Sequence, residues 1–256
     1  MKLRQFEPYT PLIGITNPAD YQQIKHLEAV LDEHRPRGSK HRLHVGVTTD
    51  RHGMPPQNVE KLFQSILTLN CVHICGKEGD TRLDLVIKQA IEATGYLANA
   101  IQLNHVWPDA YNIARGVSET GRNLEVILQI SDEAFAQVDN DPQKLVAKLE
   151  EYVGIGAVHH VLFDGSKGKG VPLKAERNLP FAFAIRRRWP KLGVGMAGGL
   201  GPKTTHLIEQ AIRLIPDLSS DAASRLRPSG RECDPLDTWL TEEYLIKMCA
   251  LLDQNQ

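Results

Sequence analysis

The sequence has few cysteines, no long apolar run and no excess of either charge, and each absence excludes a class of protein. Four cysteines among 256 residues are too few for a disulfide scaffold. No segment approaches the roughly 20 apolar residues of a membrane-spanning helix, and the first residues lack the apolar core of a signal peptide. Lys and Arg total 30 against 31 for Asp and Glu, whereas nucleic-acid-binding proteins usually carry a basic excess. We therefore expect a cytoplasmic protein that binds neither membranes nor nucleic acids.

Short apolar runs alternate regularly with amphipathic stretches along the chain. Runs typical of buried parallel strands occur at 11–16, 42–49, 71–76, 100–106, 124–131, 157–164, 192–199 and 216–220. Between them Leu145 and Leu149 lie on one helical stripe, and Asp141 followed by Pro142 is typical of a helix start. Eight strand–helix units predict an α/β fold, a single (β/α)8 TIM barrel over residues 1–256. An open, doubly wound sheet is the alternative, because alternation alone does not determine closure.

A glycine-rich segment, GVGMAGGLGPKT (193–204), ends the seventh predicted strand. Gly198 and Gly199 leave backbone N–H groups accessible to a ligand, and an anion often occupies such a loop before a helix. In barrels the loops after strands seven and eight frequently hold a phosphate. The segment therefore predicts an anion site, although an isolated Gly-Gly pair is equally typical of a tight strand-to-helix turn.

Polar side chains lie at the carboxyl ends of several predicted strands, on the face that points into the barrel. These are Gln102 and Asn104 on the fourth strand, Gln129 on the fifth, Asp164 on the sixth, and Asp217 and Ser219 on the eighth. Two carboxylates, several amides and an anion loop suit acid–base chemistry on a phosphorylated polyol. Each residue by itself is equally explained as a hydrogen-bonded core group.

Four segments resemble the phosphoribosylanthranilate isomerase family in order and spacing. They are LIGITNPADY (12–21), LFDGSKGKG (162–170), MAGGLGPKT (196–204) and DLSSDA (217–222). The similarity covers nearly the whole chain, although the middle is only loosely similar. The family is a single (β/α)8 barrel of tryptophan synthesis. The resemblance implies an intramolecular aldose–ketose isomerase of the Amadori type that acts on a small phosphorylated sugar, and nothing in the sequence requires a metal or an organic cofactor.

The resemblance implies a role for each matching position. Asp164 matches the general acid that protonates the ribose ring oxygen, and Asp217 matches an aspartate near the amino-aryl part of the substrate. The implied phosphate ligands are Gly198, Gly199, Ser219 and Ser220. Arg51, by its location after strand two, Gln102 and Gly168, in a glycine-rich cover, match substrate contacts.

Three positions depart from the family pattern. Ile13 stands where the family has its cysteine base, and isoleucine cannot accept a proton. Asp221 replaces the glycine at which phosphate approaches, so that it either repels the anion by about 1 kcal/mol or more or caps the next short helix. Asn104 takes the place of a histidine. The alternative interpretation is therefore a divergent barrel that binds a small ligand with another activity or none.

Cys75 and Asp50 are the candidates for the missing base. Lys77 is close to Cys75 in sequence, and positive charge activates a thiol, whereas a small buried hydrophobe is the structural alternative. Asp50 equally suits a turn cap. Cys71, His73 and Cys75 share one strand face but spread over ~13 Å, too far for one ion. The sequence therefore predicts no metal site there.

Overall fold

The computed structural model describes residues 9–49, 56–76, 82–166, 171–231 and 234–255. Within these residues, eight parallel strands form a closed barrel in chain order. They are β1 (Leu12–Thr16), β2 (Arg42–Thr48), β3 (Leu69–Ile74), β4 (Ala100–Leu103), β5 (Glu125–Ile130), β6 (His160–Phe163), β7 (Gly193–Ala197) and β8 (Ser219–Ala222). Because β8 pairs with β1, the predicted (β/α)8 barrel is confirmed and the open sheet is excluded.

Helices surround the barrel and connect successive strands. They are α1 (Tyr21–His34), α2 (Pro56–Leu62), α3 (Leu83–Ala93), α4 (Ala110–Glu119), α5 (Asp132–Gln137), α6 (Pro142–Val153), α7 (Ala175–Arg188), α8 (His206–Leu214) and α9 (Thr238–Asp253). The predicted start of α6 is confirmed, because the Asp141 carboxylate accepts hydrogen bonds from the N–H groups of Gln143 and Lys144. None of the helices in the described ranges is long and apolar enough to cross a bilayer.

Strand residues alternate between two cores. Ile13 and Ile15 face outward and pack with the helices. The inner core that fills the bore consists of Leu12, Leu69, Cys71, Ala100, Ile127, Leu162 and Ala197. A strand has a period of two, so the residues two positions later face the same bore nearer the carboxyl end. On β3 to β6 these residues are His73, Gln102, Gln129 and Asp164. The apolar inner core therefore supports a ring of polar groups.

The eighth strand differs from its predicted position. The sequence pattern places it at 216–220, whereas β8 begins at Ser219 and ends at Ala222. Asp217 precedes the strand, where its backbone carbonyl accepts a hydrogen bond from the Tyr9 hydroxyl and its carboxylate pairs with Arg186. Arg186 lies in the last turn of α7, which returns the chain to the amino end of the barrel. Residues 217 to 220 are therefore nearer the amino end than predicted.

Candidate active site

Asp164 directly follows β6 at the carboxyl end of the barrel. Its Oδ1 accepts hydrogen bonds from the N–H group of Ser166 (2.8 Å) and from the Ser166 hydroxyl (2.7 Å). Its Oδ2 accepts a hydrogen bond from Gln129 Nε2 at 3.3 Å. Burial raises the pKa of the Asp164 carboxyl, and this effect outweighs the lowering by the two Ser166 hydrogen bonds. Asp164 is thus a carboxyl group that retains its proton to higher pH than an exposed aspartate.

A chain of amide side chains connects Asp164 to the opposite side of the bore. Gln102 Nε2 lies 3.4 Å from Gln129 Oε1 and 3.0 Å from Asn104 Oδ1. Asn104 Nδ2 donates in turn to Cys75 Sγ at 3.5 Å. Cys75 follows β3 and Asp164 follows β6, three strands apart in a ring of eight. The structure therefore brings all five of these predicted residues into one network.

The glycine pair after β7 lies beside Asp164. Gly198 and Gly199 have φ values of 117° and 54°, which a glycine adopts without strain. A Cβ on Gly198 would lie 3.7 Å from Asp164 Oδ1 and 3.3 Å from the Val171 carbonyl oxygen. No described residue accepts a hydrogen bond from the N–H group of either glycine. The Thr204 hydroxyl donates to the Gly199 carbonyl at 2.7 Å and closes the turn.

The side chains of Asp217, Ser219 and Ser220, which were predicted to line the same site, have other partners in the structure. Ser219 Oγ accepts a hydrogen bond from the Leu12 N–H group at 2.9 Å, beside the first residue of β1. Ser220 faces outward, where its Oγ accepts a hydrogen bond from the Tyr244 hydroxyl of α9 at 3.0 Å. Asp217 is at the amino end of the barrel. The shift of β8 explains all three placements, since the strand continues past both serines.

Ile13 and Asp221, which replace residues of the family pattern, point in opposite directions from the barrel wall. Ile13 is fully buried between the barrel and the helices, so its side chain is outside the bore. Asp221 points inward, because a Cβ on Gly14 would lie 2.2 Å from its Oδ1. The short 3₁₀ helix at Ser224–Leu226 has Ala223 as its N-cap, without a side-chain cap. Asp221 therefore does not cap that helix, and its carboxylate enters the bore.

A second polar cluster comprises His44, Cys71 and His73, with Asp221 beside it. One ligand atom of each of the first three residues lies within 4.8 Å of the other two, and Asp221 Oδ1 lies 3.7 Å from His44 Nδ1. The rings of His44 and His73 stack with centroids 5.8 Å apart. Burial, helped by the neighbouring His44, lowers the pKa of His73 to about 4. Burial also raises the pKa of the Cys71 thiol well above its usual value. Sequence reasoning missed His44, which is the partner of Cys71 from the neighbouring strand.

A buried arginine that the sequence pattern did not single out fixes the loop after β8. The Arg227 guanidinium donates to the carbonyl of Thr16 at 2.7 Å, to that of Ala223 at 2.5 Å and to that of Asp234 at 2.7 Å. These bonds hold the segment after β8 against the end of β1. The remaining predicted positions, Arg51, Gly168 and the alternative base Asp50, lie outside the described residues.

Comparison with known proteins identifies the architecture. The chain matches no protein-family model and no curated protein sequence. The tryptophan synthase alpha chain from Legionella pneumophila subsp. pneumophila has a similar structure, with a TM-score of 0.55 and 14% identity over 96% of this chain and 92% of that one. Active domain 2 of a thermostable chitinase from Pyrococcus furiosus has a TM-score of 0.54 and 10% identity over 96% and 98%. These enzymes differ in activity, so the likeness shows the barrel fold alone.

Proposed function

We propose that this barrel is an aldose–ketose isomerase that acts on a small phosphorylated sugar, with Asp164 as its general acid. The observation that carries the proposal is the position of a carboxyl, with its pKa raised by burial, beside the glycine pair at the carboxyl end of the barrel. That end is where catalytic groups of (β/α)8 enzymes lie. The resemblance of LFDGSKGKG and MAGGLGPKT to the phosphoribosylanthranilate isomerase family supports the same assignment.

The acid step is favoured by a carboxyl group whose pKa is raised above that of an exposed aspartate. Asp164 donates this proton to the ring oxygen of the sugar, and the bond between C1 and the ring oxygen breaks with its electron pair on that oxygen. Burial supplies the raised pKa, and the hydrogen bonds from Ser166 and Gln129 fix the orientation of the carboxyl group. Loss of a proton from C2 then gives an enol form, which tautomerises to the ketose.

Cys75 is the proposed base that removes the C2 proton. It takes over from the family cysteine, which Ile13 replaces. An acid and a base on opposite sides of the sugar are needed for this rearrangement, and β3 and β6 are nearly opposite in the barrel. Asn104 Nδ2 donates to Cys75 Sγ and so orients the sulfur.

The substrate phosphate is proposed to bind at the glycine pair. The N–H groups of Gly198 and Gly199 have no acceptor in the described part of the chain, and accessible amides at such a loop favour anions. A Cβ on Gly201 would lie 2.6 Å from Arg225 Cβ, so a cationic residue adjoins the same loop. Because the hydroxyls of Ser219 and Ser220 have other partners, Arg225 is proposed as a further phosphate ligand.

Asp164→Asn tests the acid directly. We expect a loss of turnover of roughly 100-fold or more, the usual contribution of general acid catalysis, with an unchanged circular dichroism spectrum. The matched control is Asp32→Asn, because Asp32 is an exposed carboxylate on α1, outside the site, that pairs with Arg35. The assays are growth of a tryptophan auxotroph that lacks the isomerase and turnover of phosphorylated aldoses by the purified protein. Equal turnover by Asp164→Asn and the wild type would exclude the role.

A second candidate function is a divergent barrel that binds an uncharged or cationic small ligand. Asp221 favours it, since its buried carboxylate enters the bore next to His44 and disfavours an anion there. Failure of the folded chain to restore growth, together with no turnover of any phosphorylated aldose, would select this alternative.

A further inference from the structure

The half of the bore formed by β8, β1, β2 and β3 contains polar atoms that the isomerase chemistry leaves unused. His44 and His73 are 2% and 3% exposed, and Cys71 is fully buried. The Nε2 atoms of both histidines and Oδ1 of Asp221 have no hydrogen-bond partner among the described residues. Buried polar atoms are nearly always paired, so several such atoms facing one another indicate a missing partner. All of these atoms are acceptors or can become acceptors, and the partner they fit is a cation.

We propose that His44, Cys71 and His73 bind one divalent transition-metal ion, and that this ion is Zn²⁺. Two imidazoles and one thiolate are the donor set that Zn²⁺ prefers over Mg²⁺ or Ca²⁺. The ligand atoms lie within 4.8 Å of one another, whereas Zn–N and Zn–S bonds imply separations of about 3.5 Å in a tetrahedron. Small side-chain movements therefore complete the site. Three protein donors leave the fourth position for water or a ligand, as in catalytic zinc sites.

Two glycines provide the space for this cluster. A Cβ on Gly46 would lie 2.2 Å from His73 Nε2, and a Cβ on Gly14 would lie 2.8 Å from His44 Nδ1. No larger residue at either position is compatible with the present ring positions. The absence of a side chain at Gly14 and at Gly46 thus permits two rings and a carboxylate to share one level of the bore.

Asp221 is assigned as the outer partner of one ligand. Its Oδ1 is 3.7 Å from His44 Nδ1, while Nε2 of the same ring is unpartnered. A metal-binding histidine usually directs its other ring nitrogen to a carboxylate, which fixes the tautomer. The Cys71 thiol is protonated without metal, so Zn²⁺ uptake forms the Zn–S bond and releases that proton to solvent. This proposal is independent of the isomerase assignment.

Metal titration of the full chain tests the proposal. The chain is freed of metal with a chelator and titrated with Co²⁺ and then with Zn²⁺, and uptake is followed by elemental analysis and absorption. We expect one ion per chain, a thiolate-to-cobalt charge-transfer band, and loss of that band when Zn²⁺ displaces Co²⁺. A wild-type chain that takes up no stoichiometric ion would overturn the proposal.

Variants assign the ligands. Cys71→Ser should abolish the charge-transfer band, whereas Cys249→Ser should retain it, because Cys249 is a buried free cysteine on α9. Asp221→Asn should weaken Zn²⁺ binding by roughly 10- to 100-fold, as expected for an outer partner, and His73→Gln should weaken it further. If Cys71→Ser does not fold, His73→Gln decides. A band that persists in Cys71→Ser, or full affinity in His73→Gln, contradicts the assignment.

Discussion

Both ends of the barrel contain buried ionisable side chains, and the two ends differ in whether those side chains have bonding partners. At the amino end His160 Nε2 and Glu125 Oε2 are 2.6 Å apart, and Arg186 pairs with Asp217 and lies over the Tyr9 ring. Each of these groups has a partner of opposite charge or a hydrogen-bond acceptor. The buried ionisable groups at the amino end are therefore explained by their contribution to stability.

At the carboxyl end several buried atoms have no partner within the described ranges: Thr16 Oγ1, His44 Nε2, His73 Nε2, Gln102 Oε1 and Asp221 Oδ1. An unsatisfied buried polar atom costs about 1–3 kcal/mol, so the fold retains these groups at the expense of stability. In (β/α)8 enzymes ligands bind at the carboxyl end. The contrast distinguishes paired groups that stabilise the barrel from unpaired groups that are available to a ligand.

Gly46→Ala should have the largest effect on stability, and it tests the polar cluster at the carboxyl end. The new Cβ would lie 2.2 Å from His73 Nε2, and overpacking of this kind costs about 1–3 kcal/mol. We expect a lower urea midpoint and loss of Co²⁺ binding in the same variant. Both are measured on the purified chain.

Gly195→Ala is the matched control for that substitution. Gly195 lies on β7, and its Cβ would meet nothing closer than 3.0 Å, the distance to Ser219 Cβ. We expect a smaller loss of stability and unchanged Co²⁺ binding. Equal loss of metal in both variants would mean that the cluster responds to general strain in the barrel rather than to the position of His73.

Glu125→Gln tests whether the paired groups at the amino end contribute to stability alone. Burial acts to raise the pKa of Glu125, but the hydrogen bond and charge of His160, together with the charges of His159 and Arg42, outweigh it and the net pKa is lowered. A lowered pKa contributes stability above the unfolded-state value of 4.5, and that contribution is lost as pH falls through the folded pKa.

We expect Glu125→Gln to lose about 1 kcal/mol at pH 7, a charged hydrogen bond reduced by solvent screening. The difference from the wild type should shrink toward pH 3, as measured by urea unfolding at both values. Turnover and Co²⁺ binding should be unchanged. A loss of either would show that the two ends of the barrel are coupled.

The fold follows from the sequence because hydrophobic periodicity reports burial directly. The runs at 42–49 and 124–131 predicted β2 and β5 almost to the residue. The run at 216–220 failed because its only large apolar residue, Leu218, precedes the strand, whereas β8 itself reads SSDA. A strand with polar residues on both faces carries no such signal.

The candidate site was only partly predictable, because register within one strand is visible in a sequence and contacts between strands are not. Spacing along β3 placed Cys71, His73 and Cys75 on one face but too far apart to share an ion, whereas the ligand atoms of Cys71 and His73 lie within 4.8 Å of each other. The spacing argument covered β3 alone, whereas His44 of the neighbouring β2 approaches Cys71 and His73 across the sheet. Which strands meet at one level depends on the stagger of the closed barrel.

Asp164→Asn should change stability in the opposite direction to Glu125→Gln. Because burial raises the Asp164 pKa in the folded protein, the unfolded chain loses its proton first as pH rises above 3.8, and stability falls over that window. Asparagine carries no charge to desolvate, so the variant should be more stable than the wild type by about 1 kcal/mol at pH 7 and equally stable below pH 3.8. Urea unfolding across this range measures the difference. A variant that is less stable at pH 7 would place Asp164 with the paired groups of the amino end, as a structural residue, and would remove the main support for its role as an acid.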